Sequence, residues 1–439
     1  MSSKQNKFVD WFRSAAPYIH SHRGKTFVLQ FGGELVEDEN FTKFIHDIAL
    51  LNSLGIRLVI VYGARPQIDA LFKERKLKSQ LVRNLRVTDE KALTSVKQAV
   101  GSVKVTIEAF LSMGLPNSPM ADARVKITSG NFVTAKPHGV LDGVDLQYTG
   151  EVRKIDERSI INKLDNNEIV LVPPLGYSLT GEVFNLSSIE VAAVIATRLQ
   201  ANKLIYLLPG EVIKNNGGKD LHQISQLEAR QILTRASNVN EPPFKQLQEG
   251  LKACELGIER IHFIDHKQDG GLLQELFSRD GVGTLLSAIP FDVIRPATIN
   301  EVGGILELIQ PLEEQGALVR RSREKLEAEI NDYYVLMRDN TVIACAALHT
   351  YSKNKIAELA CLVVNDDYQK ASKGKTLYST MEKEAKSKGI KKIFVLTTQA
   401  THWFFEHGFK EADIEDLPVE KQQLYNYKRN SKVLIKDIY

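Results

Sequence analysis

The sequence predicts two domains of different class: an α/β domain built on a mainly parallel sheet, followed by a smaller α+β domain. Three observations predict this. From Thr26 to about Leu286, β-rich apolar runs alternate with helically spaced ones, the pattern of a sheet covered by helices. Around "AIPFDVIRPATINEVGGILELI" the pattern changes, and Pro290 and Pro296 bracket a short extended piece. Beyond it the order becomes helix, hairpin, strand, helix, strand. A chain of 439 residues is also too long for one ordinary core. The expected division is 1–287 for the first domain, 288–296 for a linker and 297–439 for the second.

The elements follow in order. "TFVLQF" reads as a first strand running into the Gly32-Gly33 turn, a shape suited to holding phosphate. Phe41, Phe44, Ile45, Ile48 and Leu51 recur at helical spacing, and Gly55 stands where that helix can end. "RLVIVYG", "VKITSG", "EIVLVPP", "KLIYLLP" and "RIHFID" read as further strands, and the Gly- and Asp-rich stretch "NFVTAKPHGVLDGVDLQYTGEVRKID" as a hairpin excursion. In the second domain "DYYVLMRDNTVIACAALHTY" is two strands joined by a tight Asp339-Asn340 turn. "AELACLVV" is a strand, and a polar loop leads from it to a helix with apolar face Leu377, Met381 and Ala385, then to the strand "KKIFVLTT".

Composition narrows the function classes. A net charge of +3 spread over the whole length provides no nucleic-acid surface. Three scattered cysteines, Cys254, Cys345 and Cys361, give neither a disulfide framework nor a metal-ligand spacing, so no metal is expected. No segment approaches the roughly 18 apolar residues of a membrane span, and the N-terminus lacks an apolar core for a signal peptide. Cytoplasm is the expected location.

The loop after "ELACLVV" carries Gln369, Lys370, Ala371, Ser372, Lys373, Gly374 and Lys375 ahead of the helix. Free N–H groups at a helix start, beside small residues and lysines, suit a pyrophosphate, although an ordinary strand-to-helix turn has the same composition. The strand, the Q-x-x-x-x-G loop, the helix, "KKIFVLTT" and then "WFFEHGF" resemble the acetyl-coenzyme A core of the GNAT acetyltransferases. The loop of that family usually reads Gln/Arg-x-x-Gly-x-Gly/Ala, so this one is longer. "LVRRSREKLE", "ELAC", "VLTT", "KQQLYNYKRNSKVL" and "ELFSRDGVGT" extend the resemblance, in order and over essentially the whole chain, to the bacterial N-acetylglutamate synthase family.

That resemblance implies transfer of acetyl from acetyl-coenzyme A to L-glutamate, the entry step of arginine biosynthesis. The amine must lose a proton, and Glu358 is the candidate base. The usual tyrosine acid of GNAT enzymes is replaced by Phe404, which leaves Thr397 as the candidate donor to sulfur. The strand residues Leu362, Val363 and Val364 would join the loop in holding the cosubstrate. Arg320, Arg429 and Ser431 would meet the side-chain carboxylate of glutamate, since guanidinium groups match carboxylates bidentately. Backbone N–H groups of Leu318 and Cys361 would meet its α-carboxylate. Cys361 also admits a covalent acetyl-enzyme, although no activating histidine stands near it in the sequence and the family implies direct transfer.

The first domain resembles the amino-acid kinase fold, an α/β/α sandwich. Gln30 stands where active kinases have a lysine, "YGARPQI" where they have flexible glycines, and Ile189 in "FNLSSIE" where they have an aspartate. Three losses remove the electrostatic apparatus of phosphoryl transfer. "ELFSRDGVGT" matches arginine-sensitive kinases of this fold. By that likeness Glu275, Gly281, Gly283, Tyr18, His262 and Lys203 form an allosteric L-arginine pocket, and the assembly is a homo-hexamer. A non-catalytic arginine sensor that binds partner enzymes and an acetyltransferase acting on protein lysines stand as alternatives.

Overall fold

The structure, a computed structural model, describes residues 2–113, 125–210, 213–214, 220–288, 292–371, 373–427 and 429–438. The chain divides into two compact units, Met1–Ile289 and Pro290–Tyr439.

In the first unit eight strands form one sheet: β1 (Thr26–Phe31), β2 (Arg57–Tyr62), β3 (Lys126–Thr128), β4 (Glu168–Val172), β5 (Lys203–Leu208), β6 (Gln223–Ser225), β7 (Arg260–Asp265) and β8 (Thr284–Ser287), in spatial order β6-β8-β7-β5-β1-β2-β4-β3. All neighbours are parallel except β7 and β8. The period-two alternation of β1 explains why a continuous apolar run was needed. Phe27, Leu29 and Phe31 enter one core cluster and Val28 the other, so helices must cover both faces. Each such fully buried side chain stabilises the fold by roughly 1.5–3 kcal/mol. The covering helices include α1 (Ser2–His22), α2 (Phe41–Ser53), α3 (Arg65–Glu74), α4 (Ser188–Arg198) and α5 (Gly271–Phe277). The excursion expected from "NFVTAKPHGVLDGVDLQYTGEVRKID" contributes Val133–Pro137 and Gly150–Ile155 to a separate four-stranded sheet, and between them a two-stranded hairpin, Val140–Leu141 with Val144–Asp145, turns on Asp142 and Gly143 at φ of +51° and +80°.

In the second unit seven strands are ordered β9-β10-β11-β12-β13-β15-β14: β9 (Asp292–Pro296), β10 (Tyr333–Arg338), β11 (Thr341–Tyr351), β12 (Ile356–Val364), β13 (Lys392–Thr397), β14 (Lys410–Ala412) and β15 (Lys432–Asp437). The expected linker 288–296 is corrected here: Asp292–Pro296 pairs with β10 as an edge strand, where a proline costs no ladder bond. Asp339 and Asn340 have φ of +46° and +61°, the geometry a tight hairpin turn requires. On one face α6 (Val302–Glu314) buries Val302, Ile305 and Ile309; on the other α7 (Lys373–Ser387) buries Leu377, Met381 and Ala385.

Two irregularities open this sheet. The register of β11 and β12 slips between Cys345 and Ala347, so β12 carries an extra residue, and Cys361 has φ of +52°. Beyond that, β12 and β13 pair only from Ile356–Glu358 to Lys392–Phe394 and then diverge. A short helix α8 (Thr401–Glu406) follows β13.

Candidate active site

The diverging strands enclose a cavity of about 1180 Å³, lined by Leu359–Val364 on one side and Val395–Ala400 on the other. Their outer neighbours β11 and β15 occupy the far edges, so the facing edges have no strand between them. Backbone N–H and C=O groups left in this way need a partner, and an extended chain carrying amides supplies one. The first turn of α7, with Gly374 and Lys375, and Gln369 close one end. There the N-terminus of a 15-residue helix favours anionic groups. This end therefore fits an amide-bearing arm that ends in phosphates.

The acceptor end is polarised. Arg321, Arg429 and Ser431 lie on its wall, and among the described residues neither arginine has a carboxylate partner. Burial, then the Arg321 charge, lower the pKa of Arg429, and its Nε is buried without a hydrogen bond. Two guanidinium groups that disfavour each other, one with an unused donor, form a carboxylate site. Arg321 is held charged in spite of burial by Cys361, Tyr333, Glu329 and Glu358. Arg429 also donates through Nη2 to the Ala317 carbonyl, tying its loop to the 316–321 segment.

Glu358 is buried on β12, faces the cavity, and accepts an ion pair from Lys421 Nζ at 2.7 Å through Oε2. Its Oε1 has no partner among the described residues. Thr397 Oγ1 accepts from the N–H of Ala400 at 3.0 Å, which leaves its hydroxyl proton free to donate into the cavity. The Cys345 thiol lowers the pKa of the Cys361 thiol against the opposing effect of burial, and the Arg321 charge adds to the lowering.

The residues expected at this site divide as follows. Glu358, Thr397, Leu362, Val363, Val364, Gln369, Gly374, Lys375, Leu318, Cys361, Arg429 and Ser431 line the cavity. Arg320 does not. It is exposed, and the neighbouring Arg321 takes the position, because the loop after Gly316 (φ +73°) has no periodicity from which to read facing. Leu318 is on the wall, but its N–H donates to the Leu312 carbonyl at 3.1 Å and is not available to a substrate. Lys373 pairs with Asp292 Oδ2 at 2.5 Å, which removes it from phosphate binding. Asp292, opposed by burial, is held below the usual carboxylate range by Arg338 and Lys373. Ser372 and the side chains of Lys370 and Ala371 lie outside the described residues. Sequence reasoning missed Lys421, His349, Trp403 and His407, all on the wall; aromatic spacing in "WFFEHGF" was the only signal for the last two.

In the first unit the phosphate-like turn is filled. A Cβ on Gly32 would lie 2.1 Å from Glu34 Oε1, and one on Gly33 would lie 2.1 Å from Gln67 Oε1. Gln30 donates to Ser188 Oγ at 3.2 Å, and Gln67 to the Gly33 carbonyl at 2.8 Å. The residues grouped around "ELFSRDGVGT" do converge. Lys203 Nζ lies 3.1 Å from His262 Nε2, His262 Nδ1 lies 2.6 Å from Glu275 Oε1, and Glu275 Oε2 accepts from Val282 and Gly283 N–H at 2.7 and 2.8 Å. Burial, then Lys203, push the His262 pKa down to about 4, so it is neutral, donating to Glu275 and accepting from Lys203. Glu275, though burial opposes its charge, is lowered to about 2 by His262 and the two N–H donors. Tyr18 on α1 packs against the hydrophobic cluster that includes Leu276 and Phe277, and His22 ties that helix to α5 through the Leu276 carbonyl at 2.8 Å.

Fold and cavity together define an acetyltransferase of the GNAT type carried behind an amino-acid kinase-like domain. Residues 304–409 match the Acetyltransferase (GNAT) family and residues 25–241 the Amino acid kinase family. Amino-acid acetyltransferases of Proteus mirabilis and Escherichia coli K12 are each 47% identical over 100% of both chains, and the chain belongs to that family. It is an amino-acid acetyltransferase. The structure of N-acetylglutamate synthase from Neisseria gonorrhoeae with coenzyme A and L-arginine aligns at TM-score 0.89 and 37% identity, covering 98% of this chain and 99% of that one. The same synthase with coenzyme A and N-acetyl-glutamate aligns at TM-score 0.63 and 38% identity over the same shares.

Proposed function

We propose that the chain transfers the acetyl group of acetyl-coenzyme A directly to the amine of L-glutamate, giving N-acetyl-L-glutamate, at the first step of arginine biosynthesis. The observation that carries this reading is the polarised cavity: two guanidinium groups without a carboxylate partner among the described residues, Glu358 on the wall of the same cavity, and open strand edges alongside. Arg321, Arg429 and Ser431 hold the side-chain carboxylate of glutamate. Glu358 Oε1 takes a proton from the ammonium, directly or through one water. Strand edges at Leu362–Val364 orient the thioester, and α7 with Gln369 and Lys375 receives the phosphates. Thr397 donates a hydrogen bond to the departing sulfur. Cys361 lines the wall and packs there, without forming an acetyl-enzyme.

The first unit regulates and does not phosphorylate, a reading supported by the side chains that fill its glycine turn. L-Arginine binds around Lys203, His262 and Glu275 and inhibits, with Gly281 and Gly283 shaping the backbone there; a bound guanidinium displaces one of the protein donors now on Glu275. A cytoplasmic homo-hexamer completes the reading. The test is release of free coenzyme A thiol from acetyl-coenzyme A with each amino acid in turn, with and without millimolar arginine. A glutamate rate at background ends the substrate assignment, and an arginine-independent rate ends the regulatory one.

A further inference from the structure

The reaction leaves a proton to dispose of. The substrate ammonium carries three N–H protons. When the N–C bond forms and the C–S bond breaks, one stays on the amide, one ends on the coenzyme A thiol, and one must reach bulk water. Glu358 collects it, yet the Glu358 side chain is only 7% exposed, and its Oε2 is held by Lys421. With both substrates in the cavity the carboxylate has no open route of its own.

The register of the sheet places one beside it. His349 on β11 is the direct cross-strand partner of Glu358 on β12, and side chains so paired have Cβ atoms about 4.5–5.5 Å apart on one face. His349 Nδ1 lies 2.9 Å from Asp332 Oδ2, and the two side chains are 21% and 44% exposed. Both line the same cavity as Glu358. A carboxylate on Nδ1 fixes the tautomer, with the proton on Nδ1 and Nε2 as acceptor. Nε2 has no partner among the described residues. The edge of the His349 ring stands against Tyr333, 6.5 Å between centroids at 84°, which limits its rotation. Exposure rises from Glu358 through His349 to Asp332, from the reacting amine outward.

We infer that the Asp332–His349 pair is the exit for the proton that Glu358 removes from the substrate. His349 Nε2 accepts it from Glu358, across one water or directly, and the imidazolium, stabilised by Asp332, gives it to solvent. Both act through Glu358 and are positioning residues. Glu329 and Lys325 line the same end, 3.9 Å apart, and offer no neutral acceptor beside Glu358.

This inference rests on the proposed glutamate acetylation, and the test separates the two. The full chain is assayed first: glutamate-dependent thiol release by wild type establishes the reaction, and its absence removes the reading and this inference together. With wild type active, His349→Gln is expected to lower kcat about tenfold while KM for glutamate and acetyl-coenzyme A stay within about twofold, a smaller loss than the roughly 10²–10⁴-fold of a group that takes the substrate proton itself. Added imidazole is expected to restore part of that kcat, which a purely structural loss would not permit. Asp332→Asn, which keeps the hydrogen-bonded shape, is expected to give a smaller loss of the same kind. Unchanged kcat in His349→Gln, or a loss that imidazole leaves untouched in both variants, overturns the inference.

Discussion

Glu275 and Glu358 are both buried carboxylates, one in each unit, and they differ in what is left for a ligand. Glu275 has both oxygens occupied, by His262 on one and by two backbone N–H groups on the other. Glu358 has one oxygen paired and one open toward a cavity. The glycine turns of the two units repeat the contrast: a Cβ on Gly32 or Gly33 would collide with Glu34 or Gln67 at 2.1 Å, whereas one on Gly374, on the cavity wall, would meet Val364 and Trp403 only at 3.5 and 3.8 Å, ordinary van der Waals distances. Burial therefore does not identify a reacting site. Unspent hydrogen-bonding capacity does, because a folded interior otherwise satisfies its polar groups.

The contrast is broken most directly at Glu358. Glu358→Gln is expected to lower kcat by about 10²–10⁴-fold with the thermal midpoint kept, measured by thiol release and melting; retained turnover would make the two glutamates equivalent. Next, Arg321→Ala and Arg429→Ala are each expected to raise KM for glutamate by roughly 10- to 100-fold, the value of one charged hydrogen bond, and Arg320→Ala by much less. The reverse ranking would restore the sequence-based choice.

The closed region answers instead to acid. His22 and His262, each pushed down to about 4 first by burial and then by Lys203, stay neutral in the fold, while the unfolded chain titrates near 6.5. Below pH 6.5 the unfolded state binds protons that the folded state refuses. Stability of the first unit is thus fully present above pH 6.5 and lost as pH falls toward 4, by up to roughly 3 kcal/mol per histidine. Glu275, lowered to about 2, extends the loss from about pH 4.5 downward. Melting curves against pH check this, and His22→Gln with His262→Gln should flatten the upper step. Last, Gly281→Ala is expected to cost about 1–3 kcal/mol, since its φ is +63° and a Cβ would lie 2.3 Å from Glu275 Oε2; a melting midpoint within error of wild type would show that the carboxylate has room to move.

Much of this was legible in the sequence. The order of strands and the strand-loop-helix unit were readable because apolar periodicity is local, whereas Glu358 and Thr397 were singled out through the family resemblance, and the structure places both on the cavity wall. What failed depended on geometry between distant segments. Arg321 and Arg320 differ by one step along an irregular loop, and only packing against α6 and β12 decides which one turns inward. His349 meets Glu358 through the register set by the turn between β11 and β12, whose length and geometry were not readable from spacing. Asp292–Pro296 read as linker because an edge strand needs few apolar residues and tolerates proline.

The bulge at Cys361 also bears on how the reactants are measured against each other. One continuous strand presents Glu358 before the kink and the Leu362–Val364 edge after it. The spacing between amine and thioester is thereby set in the covalent chain, by a backbone angle that is unfavourable for a residue with a side chain. A deletion of one residue there would leave both half-sites intact and move them out of reach of each other.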